Sequence, residues 1–302
     1  MFKSKNSISR ALVRRETTAG YLFLLPSLFF FVTFVLYPMF LCIYTSFFDS
    51  NMGKNAVDVF VGLGNYKELF QDKLFLGALK NTVVIVVVAV PTVCAFSLWV
   101  ATAIYDMKPA LTSAFRCIFY LPVVTGSVAV TVVWKWMYNS RYGVFNYLFK
   151  SLGIIDQNIN WLGDARFALW CIILILFTTS VGQPIVLYVS ALGNVDHSLV
   201  EAAQVDGANR RQVFWKIKWA QIMPTTLYIL IITTINSFQC FALIQLLTSG
   251  GPTHSTDTIM YYIYYTAFKL YRYGYGNAMG VVLMVIIAVL SAVQFKLGQR
   301  SD

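Results

Sequence analysis

The strongest constraint in this 302-residue chain is the gathering of its apolar residues into six long runs, at 21–48, 83–105, 117–137, 167–192, 224–248 and 277–295. A helix of about 20 such residues crosses a hydrocarbon core of roughly 30 Å, and each run is near or beyond that length. Apolar residues make up 58% of the chain and charged residues 12%, too few charges to cover a soluble fold of this size. The same poverty of charge rules out intrinsic disorder. An all-α integral membrane protein with six transmembrane helices is therefore predicted. The first run far exceeds the ~7–15-residue apolar core of a signal peptide, and no small-residue cleavage site follows, so it is expected to remain as the first helix. Pro26, Pro38, Pro91, Pro122 and Pro184 lie inside the runs and predict kinks with locally freed carbonyls.

Charge placement predicts the orientation. Basic residues lie between the runs rather than on a soluble module, which argues against nucleic acid as a partner. With the N-terminus inside, the cytoplasmic side carries thirteen basic and six acidic residues, a net +7, and the outer side ten and seven, a net +3. The bias comes chiefly from Lys3, Lys5, Arg10, Arg14 and Arg15, and it predicts both termini in the cytoplasm. Trp134, Trp136, Tyr138, Trp161, Tyr271 and Tyr273 flank the outer ends as an aromatic belt. The five cysteines lie in or beside apolar runs without a CxxC pair and read as small buried hydrophobes.

Apart from Lys135, the six runs hold no Asp, Glu, Lys, Arg or His. Proton relays and voltage sensors need such groups at membrane depth, so a self-powered carrier is disfavoured. The two histidines, His197 and His254, fall in loops, and the sequence has neither HExxH nor GxxxxGK[ST]. The expectation is a non-enzymatic transport subunit that binds no cofactor of its own and draws its energy from another subunit. The interior is polar but uncharged: Asn236, Ser237, Gln239 and Gln245 lie in the fifth run, and Thr178, Thr179, Ser180, Gly182, Gln183 and Pro184 in the fourth. Buried amides cost several kcal/mol unless hydrogen-bonded. They therefore serve either as interhelical glue or as the site of a neutral, hydroxyl-rich solute stacked against Phe238 or Phe241. Asn236 and Gln239, at i and i+3, are expected to share a face.

Between the fourth and fifth runs the chain reads SLVEAAQVDGANRRQVFWKIKWAQIMP, 198–224. Glu201-Ala202-Ala203 opens a short helix, Asp206-Gly207 supplies a turn, and Val213, Phe214 and Ile217 recur at helical spacing beside basic residues. The segment reads as a helix–turn–helix at the membrane surface, open to another protein or simply an amphipathic linker.

Glu201-Ala202-Ala203, Asp206-Gly207-Ala208, Ile217 and Pro224 resemble the EAA loop of ABC-importer permeases, with Trp219-Ala220 where that family often has Leu-Pro. Phe60 to Tyr66, Ala78 to Thr82, Leu121-Pro122, Trp134-Lys135-Trp136, Gly143, Asn146, Leu243 to Pro252, Tyr264, Ala267-Phe268 and Gly274-Tyr275 follow in order. This ordered set is similar to the larger carbohydrate permease of maltose-type importers. The resemblance implies a type I ABC importer transmembrane domain over 20–298, with a core at about 75–298, a coupling loop at 193–223 and cytoplasmic tails at 1–19 and 299–302. It implies a prokaryotic cell-membrane location and a second, homologous permease subunit. It also implies a dimer of ATPase subunits that binds the ATP and Mg, an extracellular substrate-binding protein, and surrounding lipid. Glu201, Ala202, Ala203, Asp206 and Gly207 would couple to the ATPase. Substrate would be held near Gln183, Asn236, Ser237, Phe238 and Gln239. A sugar is the implied solute, with a polyol, a glycerophosphodiester or an ATP-independent carrier as alternatives.

Overall fold

The computed structural model describes residues 3–50 and 58–299, with side chains described for 16–50 and 58–298. The side chains of Lys3, Lys5, Arg10, Arg14 and Arg15, and Arg300 and Asp302 of the C-terminal tail, lie outside the described residues. Helix α1 (Lys3–Phe31) runs through a π turn at Val32–Leu36 into α2 (Tyr37–Thr45), so no break separates the expected tail from the first span. The π turn comes just before Pro38, which lacks the N–H that a regular helix would use. A two-residue hairpin, β1 (Phe48–Asp49) with β2 (Val59–Phe60), leads to α3 (Gly64–Gln71) and α4 (Lys73–Tyr105).

The third run departs from expectation. It forms α5 (Pro109–Val124) and α6 (Ser127–Met137), bent by 95° at Thr125–Gly126. The span accordingly starts earlier than 117, places Arg116 inside a helix, and does not continue straight through Lys135. Helix α7 (Val144–Ser151) is followed by α8 (Ala168–Ser180) and α9 (Gly182–Gly193), the fourth run interrupted at Val181. Helices α10 (His197–Val205) and α11 (Arg210–Val213) form the loop expected at the cytoplasmic face, and a π turn at Phe214–Lys218 carries the chain into α12 (Trp219–Phe238). With Trp219-Ala220 in place of Leu-Pro, no proline interrupts this transition. The fifth run is also interrupted: α12 stops at Phe238, and α13 (Ala242–Leu247) follows and packs on α6. Helix α14 (Ile259–Tyr264), a π turn at Tyr265–Lys269 and α15 (Tyr273–Gln299) complete the chain. Among the described residues, five helices are long and apolar enough to cross a membrane, or six with the bent pair taken as one span.

Helix α4 is the hub, packed on α9 and α12. Val93, Ala101 and Ile104 meet Ile185, Tyr188 and Leu192 in the main core. Its 33 residues extend about 50 Å at 1.5 Å per residue, well beyond the hydrocarbon, and its N-terminal end anchors the segment before α14. Asn81 donates to the carbonyls of Ser255 and Asp257 at 3.1 and 3.0 Å, and Thr82 Oγ1 accepts from Ile259 N–H at 3.0 Å. Asn65 donates to the Ser46 and Phe48 carbonyls at 2.8 and 2.9 Å. A Cβ on Gly274 would lie 1.9 Å from the Phe48 carbonyl oxygen, so only glycine lets α15 pass the hairpin. Asn146 ties α7 to the loop before α8 through the Ser140 and Ile159 carbonyls and the Trp161 indole. By contrast, no residue in the apolar window of the N-terminal span, Glu16–Thr45, is buried.

Asp72 joins three elements. Its Oδ1 caps α4 through Leu74 N–H at 2.8 Å, and its Oδ2 accepts from the hydroxyls of Tyr262 and Tyr275 at 2.7 and 2.9 Å. Burial pushes this carboxyl's pKa up, but the tyrosine and backbone hydrogen bonds outweigh it and hold it below its ordinary value. Asp72→Asn is expected to cost ~1–2 kcal/mol, the lower part of the range for charged hydrogen bonds because the site is partly open. A carboxyl with a depressed folded pKa stabilises fully above its unfolded value, about pH 4, and loses that contribution as pH falls further. Thermal melting in detergent at pH 7 should therefore show a drop of a few degrees that narrows only below pH 4. An unchanged pH 7 melting point would show that the contact carries no stability.

Candidate functional site

Three helix breaks converge on one cavity. Its volume is about 160 Å³, and its walls include Val123 just before the α5–α6 bend, Thr179, Ser180 and Gln183 around the α8–α9 break, and Thr233 and Asn236 near the end of α12. Tyr228 completes the polar lining. Backbone groups cannot remain unpaired in hydrocarbon, and at each break a side-chain hydroxyl adds a hydrogen bond to a carbonyl. Thr125 Oγ1 donates to Leu121 O at 2.9 Å, buried Ser97 on α4 donates to Val181 O at 3.3 Å, and Thr258 donates to Cys240 O at 2.8 Å. The breaks are thus built into the fold.

Depth follows from the packing of α12 on α15. Gly298 meets Leu227, Gln294 donates to Thr234 Oγ1 at 2.9 Å, and Phe238 packs in the cluster of Met279 and Leu283. Residues 227–238 therefore run alongside 298–279, and Asn236 lies well inside the span. Asn236 and Gln183 are exposed, and neither amide has a hydrogen-bond partner among the described residues. Thr179 donates back to Ile175 O at 3.0 Å, leaving its lone pairs open. The cavity therefore offers amide donors and acceptors, hydroxyl acceptors and one phenol, with no ionisable carboxylate or amine.

The five expected solute residues separate. Gln183 and Asn236 line the cavity. Ser237 and Phe238 turn the other way, each 2% exposed, and Phe238 packs with Leu69, Phe75, Ile259 and Tyr275. Gln239 is exposed but caps the end of α12, its N–H bonded to Ile235 O at 3.1 Å, and does not line the cavity. The expected pairing of Asn236 with Gln239 therefore reduces to Asn236. Sequence reasoning missed Tyr228, Thr233 and Ser97. Thr233, three residues before Asn236, could have been found from helical spacing, whereas Ser97 could not, because its role depends on contact with another helix.

The loop at 193–223 is a helix–turn–helix as expected. Asp196 caps α10, accepting from Ser198 N–H at 2.9 Å and Ser198 Oγ at 2.7 Å, and these bonds hold its carboxyl below the usual range. Its own N–H donates to Gln221 Oε1 at 3.0 Å, tying the loop to α12. Gly207 has φ +83 and closes α10, with Gly207 N–H on Gln204 O at 3.1 Å and Ala208 N–H on Ala203 O at 2.9 Å. Asn209 and Gln212 cap α11 reciprocally at 2.8 and 2.9 Å. His197, Val200 and Gln204 face the bundle. Glu201, Ala202, Asp206 and Gly207 are exposed, Ala203 is half-buried, and Val205 beside them is 88% exposed. This rigid element shows a small-residue face with an unpaired apolar side chain.

Close approach also shapes the cavity wall. A Cβ on Gly182 would sit 2.3 Å from Phe119 O and 2.9 Å from Val123 Cγ2, whereas one on Gly193 in the same helix meets only a Tyr105 ring carbon at 3.8 Å. Gly182→Ala should force α5 off α9 and lower the melting temperature by several degrees, and Gly193→Ala should change it little. Equal melting points for the two variants would contradict this packing.

Residues 59–302 match the family model described as "Binding-protein-dependent transport system inner membrane component". The chain is 33% identical over 288 residues to the "Probable ABC transporter permease protein YesP" of Bacillus subtilis, covering 94% of this chain and 91% of that one. It is 32% identical over 288 residues to the "Lactose transport system permease protein LacF" of Rhizobium radiobacter, covering 94% and 95%. In fold it is similar to a chain of a bacterial alginate ABC transporter in complex with a pentasaccharide-bound periplasmic protein, with TM-score 0.82, 24% identity and coverage of 95% and 96%.

Proposed function

Since the chain belongs to the family of binding-protein-dependent transport system inner-membrane components, the permeases of ABC importers, we propose that it forms half of the membrane pathway for a sugar or oligosaccharide. The observation that carries the solute class is the cavity at the three helix breaks, where Gln183 and Asn236 present unpaired amides and no wall residue carries a carboxylate or an amine. A hydroxyl-rich neutral solute answers such a wall. The lactose-permease relative supports a carbohydrate. A volume of about 160 Å³ is below the ~300–1,000 Å³ of complete ligand clefts, so a second permease subunit supplies the facing half. The uncovered apolar faces of α5, α6 and the N-terminal span are the surfaces for that subunit and for lipid.

The remaining parts of the machine follow from the same reading. Both termini are cytoplasmic, and the exposed Glu201–Gly207 face seats on one of two ATPase subunits, which bind ATP and Mg. An extracellular binding protein delivers the sugar. The capped ends of α10 and α11 and the Asp196–Gln221 bond make the loop stiff enough to pass a movement of the ATPase into α12, which carries Asn236.

In reconstituted complex, Gln183→Ala and Asn236→Ala should each reduce sugar uptake several-fold to tenfold at unchanged melting temperature, because each hydrogen bond contributes a net ~0.5–1.5 kcal/mol. Phe238→Ala should instead cost ~3–5 kcal/mol of stability as a core cavity and impair two related sugars equally. If the amide variants lost stability in step with uptake of both sugars, the residues would be interhelical glue and the site reading would fail.

Gly207→Val tests the loop separately. Its Cβ would meet nothing within 4 Å, so the substitution acts only through the left-handed backbone, at ~1–2 kcal/mol or more. Insertion and assembly should persist while sugar transported per ATP hydrolysed falls. Unchanged coupling would remove the loop from the transmission path.

A further inference from the structure

A second and larger cavity, about 400 Å³, lies between the cytoplasmic loop and the helix bundle, outside the solute site. Its inner surface is apolar, with Leu192, Val195, Val213 and Phe214. The rim carries Arg210 and Lys218 from the loop's second half and Tyr105 from the end of α4. Gln204 and His197 come from the inward face of α10. Lys218 Nζ stands 5.5 Å from the centre of the Tyr105 ring, and neither it nor Arg210 has an ion-pair partner among the described residues. Asp106 is the one carboxylate on the wall, so the fixed charges of the rim sum to positive.

Depth selects the ligand. Tyr105 ends the apolar stretch of α4, and Trp215 and Trp219 bracket Lys216 and Lys218 at the start of α12. Aromatic rings beside basic residues at the ends of apolar helices mark the membrane–water boundary. Basic pockets between helices on the cytoplasmic side hold anionic headgroups. From this geometry we propose that the cavity binds the phosphate headgroup of an anionic phospholipid of the inner leaflet. Arg210 and Lys218 meet the phosphate, Tyr105 and Gln204 donate to its neighbouring oxygens, and Phe214 and Val213 receive the root of the acyl chains. Bound there, the lipid touches α4, α10 and α11 together and braces the cytoplasmic loop against the bundle. The proposal does not depend on which solute the permease carries.

The test uses the purified transporter complex in nanodiscs of phosphatidylcholine with increasing phosphatidylglycerol, read by native mass spectrometry for retained lipid and by thermal melting. Wild type should retain phosphatidylglycerol and gain melting temperature with its mole fraction. Arg210→Gln with Lys218→Gln should need at least tenfold more phosphatidylglycerol for the same gain, since each basic group near an anionic surface contributes about fivefold. Lys216→Gln, outside the cavity, should behave as wild type. Retention unchanged in the double variant, or lost equally in Lys216→Gln, would overturn the site. Protection by glycerol 3-phosphate or inorganic phosphate in pure phosphatidylcholine, equal to that by phosphatidylglycerol, would overturn the lipid assignment in favour of a soluble phosphate ligand.

Discussion

Everything in this fold is subordinate to one requirement: a backbone polar group in hydrocarbon must find a partner inside the protein. Continuous helices meet it automatically. Three of the spans carry an interruption, and at each a hydroxyl donates to a carbonyl: Thr125 to Leu121 O and Ser97 to Val181 O, both of which also keep a helical N–H, and Thr258 to Cys240 O. Two of these hydroxyls come from a different helix or loop. The interruptions are thereby tied to α4 and to the loop before α14, and they bring Gln183 and Asn236 to one cavity.

The two ends of the bundle are secured by different means. Near the start of α4, Asn81, Thr82 and Asp72 bind a carbonyl, an N–H and a hydroxyl of segments far away in sequence, and Asn65 and Asn146 bind carbonyls of nearer ones. These residues, several of which carry the family resemblance, are fasteners rather than solute ligands. At the other end the 193–223 loop is secured by local caps, Asp196 on α10 and the Asn209–Gln212 pair on α11, with one long-range bond to Gln221. Few distant contacts leave the loop free to move as a body, while its caps keep it from unwinding. That combination suits an element that transmits force better than one that stores it.

Much of this was legible before any coordinates. The apolar runs located the spans, and the polar, uncharged fourth and fifth runs located the neighbourhood of the cavity. Asp206-Gly207 announced a turn, and the helical spacing of Val213, Phe214 and Ile217 a helix after it, because turns and left-handed glycines are local chemistry. The third run was different. Nothing between 117 and 137 except Pro122 hinted at a bend of 95°, since either half alone is a good helix. Phe238 was misplaced for the same reason: with α12 assumed to continue, its direction among Asn236, Ser237 and Gln239 had no local signal.

Composition and the spacing of charges thus determined that the chain crosses a membrane, roughly where, and that the fourth and fifth runs are polar without being charged. These are properties of individual residues in a solvent, and sequence records them directly. Which segments meet at the interruptions was decided only in three dimensions. Ser97 is 84 residues from Val181, to whose carbonyl it adds a second hydrogen bond, and Gly182 accepts the backbone of Phe119 from another helix. The cavity is made by segments distant in sequence, and their meeting can be seen only once the helices are packed.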